Sequence, residues 1–307
     1  MDGKILEFQV VEQQSGNRID KFIAAQQEDF TRSYLQRLIK ENYVKVNEKI
    51  AKANYKVATG DNITIFIPTP TPLNIQAENI PLDILYEDQD IILINKGKGM
   101  VVHPAPGHYS GTIVNGLLYH CKNQLSGING IMRPGIVHRI DRNTTGVIVV
   151  CKNDKSHNFI SEQLKEHSIT RRYFAIAYHY FKEKEGVIDA PIGRHPIDRK
   201  KMSVNYKNGK SAITHYSVIE ELKDNFSYIQ CQLKTGRTHQ IRVHMASIHH
   251  PLLGDDVYGP KKSNYKLEGQ VLHAKTLGLI HPTTHKYMEF EAPLPEYFSK
   301  LLEKLQK

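Results

Sequence analysis

The chain has 307 residues, 40% of them hydrophobic and 24% charged, with a formal net charge of +9. That length suits two domains of roughly 100–200 residues each, and the composition excludes a disordered or a membrane-embedded chain. The positive balance points to a polyanionic partner, of which nucleic acid is the commonest. The longest apolar runs, such as GVIVVC at 146–151, are strand-sized, so no membrane partner is expected. MDGKILEFQV carries an acid early and has no long apolar stretch, so no signal peptide is expected either. The three cysteines (Cys121, Cys151, Cys231) are scattered and offer no CxxC pair for zinc, which fits a reducing, cytoplasmic setting.

In chain order, two short helices are predicted first. Ile19, Phe22 and Ile23 recur at i, i+3, i+4 in NRIDKFIA. The second follows Thr31 as N-cap and runs through RSYLQRLIKE, with Leu35, Leu38 and Ile39 on its apolar face and Arg32, Arg37 and Lys40 elsewhere. NYVKVNEKI alternates Val44 and Val46 with Lys45 and Asn47, as a half-buried strand does. GDNITIFIP repeats that pattern at Ile63, Ile65 and Ile67.

The order helix–helix–hairpin and the run RSYLQRLIKENYVKVNEK resemble the S4 RNA-binding domain over about residues 16–67. The resemblance implies that Arg32, Arg37, Lys40 and Lys45 face RNA phosphates. Pro68, Pro70, Pro72 and Pro81 then mark a stiff segment, so the expected division is residues 1–67, a linker at 68–81, and a second domain at 82–307.

Strands dominate that second domain. DIILINK, GVIVVCK, RRYFAIAYHYF, SAITHYSVIEEL and FSYIQCQLKTG are β-branched or aromatic, and helices are predicted at NFISEQLKEH and again after Thr238, where Ile241, Met245 and Ile248 recur. Without regular βαβ alternation, the expected class is α+β, on a mostly antiparallel or mixed sheet with flanking helices.

Three chemical readings fail on spacing. HQIRVHMASIHH (239–250) is rich in histidine but lacks HExxH, so no metal is expected there. GKGMVVHPAPGH (97–108) lacks GxxxxGK[ST] and GxGxxG, so no nucleotide cofactor is expected. GxSxG is absent. HRIDRNTTGVIVVCKN remains: Asp141 lies among His138, Arg139 and Arg142, on a loop feeding a buried strand. A carboxylate among cations is either a poised reactive group or a surface ion pair of little energetic weight.

HRIDRNTTGVIVVCK resembles the HRLDxxTSGxxxxAK signature of the RluA-type pseudouridine synthases. GKGMVVHPAPG, RRYFAIAY, GRHPIDRKKMSV and TGRTHQIRVHMASIHHPLLGDDVYG resemble further motifs of that family, in family order across about residues 90–295. With the S4-like segment ahead of them, they are similar to the large-subunit ribosomal RNA subgroup. The resemblance implies isomerisation of uridine to pseudouridine in RNA, without a cofactor or metal, by a monomer whose partner is ribosomal RNA. Asp141 would be the catalytic carboxylate, attacking C1′ or acting as a base at the 2′ position. Arg242 would be its ion-pair partner, a guanidinium being able to meet a carboxylate with two donors. Tyr173 would lie against the uracil and assist removal of the C5 proton.

A stacked uridine must be flipped out, and Arg139 would fill the gap. His138, Arg142, His103, Arg237 and His239, with Lys200 and Lys201 of the basic segment, would shape the cleft or contact RNA. His249 stands where the family has glycine; if that position needs φ > 0, histidine tolerates it poorly. The competing readings are a non-catalytic S4-type ribosome-assembly factor, a synthase acting on transfer RNA, and a metal-dependent hydrolase built on the histidine cluster.

Overall fold

The computed structural model describes residues 3–27, 32–68, 75–105, 107–122, 125–128, 133–198, 201–260 and 265–306, with backbone alone at 3, 32–34, 37 and 68. Thr31, Pro70, Pro72 and Lys200, and the side chains of Arg32, Arg37 and Pro68, therefore lie outside what is described. Contacts divide the chain into two compact units, Met1–Leu73 and Asn74–Lys307.

The first unit opens on a strand, β1 (Gly3–Gln9), where two helices were expected to come first. α1 (Ile19–Gln26), α2 (Arg32–Lys40), β2 (Val44–Val46), β3 (Lys49–Ile50) and β4 (Asn62–Pro68) follow. The sheet runs β1-β4-β2-β3, antiparallel throughout. Ile19, Phe22 and Ile23 meet Leu35, Leu38 and Ile39 over Val44, Val46, Ile63 and Ile65, all buried in one core. The helical and alternating patterns thus close on each other, as two amphipathic layers must. Lys40 and Lys45 remain exposed.

The second unit contains β5 (Ile84–Glu87), β6 (Ile91–Lys96), α3 (Ile113–Cys121), β7 (Thr145–Cys151), α4 (Asp154–Lys165), β8 (Thr170–Tyr178) and β9 (Glu185–Asp189). It continues with β10 (Ile192–Arg194), β11 (Met202–Val204), β12 (Ile213–Leu222), β13 (Phe226–Leu233), α5 (Gln240–Ser247), β14 (Leu272–Ile280), β15 (Tyr287–Glu291) and α6 (Glu296–Leu305). A nine-stranded sheet runs β5-β6-β7-β14-β8-β13-β12-β9, with β15 beside β14; β10 and β11 form a separate hairpin. β7 and β14 pair in parallel among otherwise antiparallel described strands, which makes the sheet mixed and the class α+β.

β7 is buried at every position because apolar layers cover both of its faces. Its entry fixes the glycine of TTG. Gly146 has φ +109, and a Cβ there would run into the Ala274 backbone of β14. Residues 75–81, expected to be linker, lie along α3 together with Leu82. Gln76 O accepts from Asn115 Nδ2 at 2.8 Å, and a Cβ on Gly116 would be 3.1 Å from Leu82 Cδ2. The extended backbone finds partners on that helix, so this half of the segment is packed.

Candidate active site

Where the 138–144 loop enters β7, a cavity of ≈ 470 Å³ opens, walled by that loop, β8, the end of β13 and the start of α5. Asp141, Arg139, His138, Tyr173, Arg237, His239 and Arg242 line it; His103 and Arg142 do not.

The loop is fixed from below. Thr144 N–H donates to Asp141 O at 3.0 Å, and Gln270 Nε2 donates to buried Thr144 Oγ1 at 2.9 Å. Buried Lys96 spends its ammonium on three carbonyls, Gly97 (2.9 Å), Met100 (3.0 Å) and Arg142 (2.8 Å), joining the GKGM turn to the residue after Asp141. Burial pulls Lys96 down to about 7 against the opposing pull of Asp141. Arg142 reinforces the junction through Nε to Gly99 O at 3.0 Å. Lys96→Met takes the shared donor away from those three carbonyls, at up to about 1–3 kcal/mol for each one left without a partner. We expect a lower Tm and a reduced kcat, read by thermal unfolding and by turnover.

His138 has a structural partner. Its Nε2 accepts the Val149 N–H at 3.0 Å, and burial, assisted by Arg171, lowers its pKa to about 3, so it stands neutral at the cavity wall. His103 is also neutral, lowered to about 4 by burial with Arg133 and Arg139 nearby. Arg237 donates Nε to Ser211 O at 2.9 Å, Lys201 is half-buried on the β10–β11 hairpin, and Arg139 is exposed.

Across the cavity, Gln240 ties the turn before α5. It accepts from Thr235 Oγ1 (2.8 Å) and Arg237 N (2.9 Å) and donates to Ile213 O (3.0 Å). Two residues on, Arg242 is 4% exposed and its Nη1 reaches Asp141 Oδ2 at 3.1 Å. The expected ion pair is present, through one donor, although a guanidinium can offer two. The two-donor fork instead goes to Asp255, with Nε at 2.7 Å and Nη2 at 2.8 Å. Asp255 is itself held by the N–H groups of Val257 and Tyr258. Burial would lower the Arg242 pKa, but Asp255 first and Asp141 second hold it above its ordinary value. The arrangement suits a reactive group: Asp255 carries the cost of a buried cation, and Asp141 takes one directed N–H on Oδ2, with Oδ1 beyond hydrogen-bond distance of its neighbour His239.

Tyr173 is 7% exposed and sits on β8 between β13 and β14. Burial raises its phenol, with Arg171 opposing and Asp141 adding to the rise, so it is un-ionised at neutral pH.

The sequence reading missed Asp255, Lys96, Arg171 and Tyr258. Two signals were available, the GDDVYG run and the first arginine of RRYF. Asp255 as the partner of Arg242 could not be read from spacing, because a turn brings it back. His249 does take φ +65, the conformation in question, and is exposed there. The histidines of 239–250 do not converge. His244 bonds Thr214 Oγ1 and Ala190 O, and His250 stacks on Phe181 at 3.7 Å. Among the described residues only Asp88, Asp90 and His281 bring three ligand-type atoms together. There His281 Nε2 pairs with Asp88 at 2.7 Å, while Asn153 donates to Asp90.

The comparisons agree along the whole chain. Residues 90–247 match the RNA pseudouridylate synthase family and residues 17–63 the S4 domain. An uncharacterized RNA pseudouridine synthase of Bacillus subtilis, YlyB, is 51% identical over 96% of this chain and 96% of its own length. The ribosomal large subunit pseudouridine synthase D of Zymomonas mobilis is 44% identical, again over 96% of each. Human RNA pseudouridylate synthase domain containing 4 shares the fold with a TM-score of 0.56 and 26% identity, over 72% of this chain and 92% of its own. With the family match over residues 90–247 and relatives up to 51% identical along 96% of its length, the chain belongs to the RNA pseudouridine synthase family.

Proposed function

We propose that this enzyme isomerises specific uridines of large-subunit ribosomal RNA, with Asp141 as the catalytic carboxylate. The observation that carries the reading is the Asp141–Arg242–Asp255 arrangement at the cavity wall. It holds one partly open carboxylate, 20% exposed, against a cation that is already compensated. The ribosomal target follows from the relatives named synthase D, 41–44% identical, and from the S4 domain. Ribosomal RNA is met in the cytoplasm, the compartment this reading assigns, and a monomer suffices because one chain supplies the whole site. Among the described residues no helix is long and apolar enough to cross a membrane.

The reaction breaks N1–C1′, turns the base, and rejoins it through C5. It is an isomerisation, so electrons and atoms balance without a redox partner. Asp141 must be ionised and aimed, whether it attacks C1′ or takes a proton at the 2′ position. Arg242 does the aiming through Nη1. Tyr173 packs against the uracil, a role its neutral phenol suits better than proton removal. Arg139, exposed at the rim, fills the stack left by the flipped nucleotide, whose extrusion costs a few kcal/mol. The first unit, with Lys40 and Lys45 exposed, supplies sequence-independent phosphate contacts.

Mapping pseudouridines across ribosomal and transfer RNA from cells with and without this gene tests the reading. Loss of particular large-subunit sites supports it, and loss confined to transfer RNA overturns the target. Each unit has its own core, so residues 74–307 alone are expected to stay folded and to bind ribosomal RNA more weakly. A binding titration with circular dichroism checks both, and an unfolded remainder would count against the division.

A further inference from the structure

The two oxygens of Asp141 meet different partners. Oδ2 takes the Arg242 Nη1–H bond, while Oδ1 faces His239 Nε2 at 3.9 Å. His239 reaches this place through an uncommon backbone, φ +58 and ψ 21, immediately ahead of α5. Left-handed non-glycine residues are uncommon, and strained backbone concentrates at working sites.

The other ring nitrogen is committed. Nδ1 lies 2.8 Å from Tyr258 Oη, which also receives the Met202 N–H at 2.9 Å. The phenol proton has no other recorded acceptor among the described residues, so it goes to Nδ1 and the imidazole proton stands on Nε2, toward Asp141. Tyr258 also lies under the guanidinium, with Arg242 Cζ 5.1 Å from its ring centroid. One phenol therefore braces both groups that face the carboxylate.

We propose that His239 is a positioning residue for Asp141, held by Tyr258 in the tautomer that presents Nε2–H to the second carboxylate oxygen. The proposal rests on Asp141 being the catalytic carboxylate. At 3.9 Å the pair is short of a hydrogen bond, and catalytic hydrogen bonds commonly tighten only in the Michaelis complex. A neutral donor restrains the carboxylate without a second full charge beside it. Burial favours the neutral ring, as do Arg242 and Arg139; Asp141 and Asp255 oppose them. Losing the proton donated to Nδ1 removes a bond made to the neutral form, so the ring should protonate at higher pH.

The test uses the full chain, an unmodified large-subunit ribosomal RNA transcript carrying C5-tritiated uridine, and tritium release as the readout. Tyr258→Phe should lower kcat roughly 10- to 100-fold, the scale of a small misplacement at a reacting group. KM should be unchanged, and the acid limb of the pH–kcat profile should move to higher pH. His239→Asn keeps a residue that tolerates the left-handed backbone and removes the imidazole. It should lose kcat comparably, and adding Tyr258→Phe to it should change nothing further. The proposal is overturned if Tyr258→Phe costs the same factor with and without His239, or leaves the acid limb in place. Asp141→Asn runs in parallel: if it retains turnover, the assignment of Asp141 fails instead, whatever the two other variants do.

Discussion

Replacing Asp255 by alanine is expected to cost both stability and turnover, although Asp255 does not line the cavity. Asp255 is 2% exposed and Arg242 4%. Removing one partner of a buried pair typically costs about 3–5 kcal/mol, and here the guanidinium would keep only its single bond to Asp141 and the more distant, exposed Asp256 at 4.0 Å. The N–H groups of Val257 and Tyr258 lose their acceptor as well. Arg242 would then be free to turn its fork onto Asp141, drawing Oδ1 away from His239. We expect a denaturation midpoint lowered in proportion and a kcat loss on the order of 10²-fold. Chemical denaturation and tritium release measure the two effects; a variant as stable and active as the parent would remove Asp255 from the account.

Asp141→Asn should behave in the opposite way. Asp141 receives one N–H from Arg242 and is partly open, and Asp255 keeps the guanidinium compensated when the Asp141 charge is gone. The Asp141 backbone bond to Thr144 does not depend on the side chain. The fold should persist and RNA should still bind, since phosphate contacts dominate affinity. Turnover should fall by at least the ~10²–10⁴-fold associated with a positioned acid or base. Two acids on one arginine thus separate cleanly, one holding the site and the other working in it.

The parts legible in the sequence were those with a local period. The apolar stripes of α1 and α2, the alternation around Val44 and Val46, and the run that becomes β7 all register in a short window. β1 was not read, although Leu6 and Phe8 pack on the core, because one short strand beside an opening segment carries little signal without its partner β4. α3 contains Gly116 and two β-branched residues and reads poorly as a helix. The structure gives the glycine a reason, since a Cβ there would press on Leu82 and Ile80 at 3.1–3.4 Å. α6 was legible but passed over, with Phe298, Leu301 and Leu305 on its buried face. In the site, Asp141 stood out because charge collects around it. Its local arginines proved to serve other ends, Arg142 bracing a turn and Arg139 lying at the rim. The cation that meets Asp141 comes from 101 residues away, and the acid that steadies that cation comes from a further turn. Such pairings are products of topology, which no window of sequence contains.

The most direct test of the central claim is single-turnover tritium release by Asp141→Asn at saturating ribosomal RNA, with binding measured on the same preparation. The account predicts RNA binding close to that of the parent and no release above background. Release at the parental rate by a variant that binds normally would contradict it.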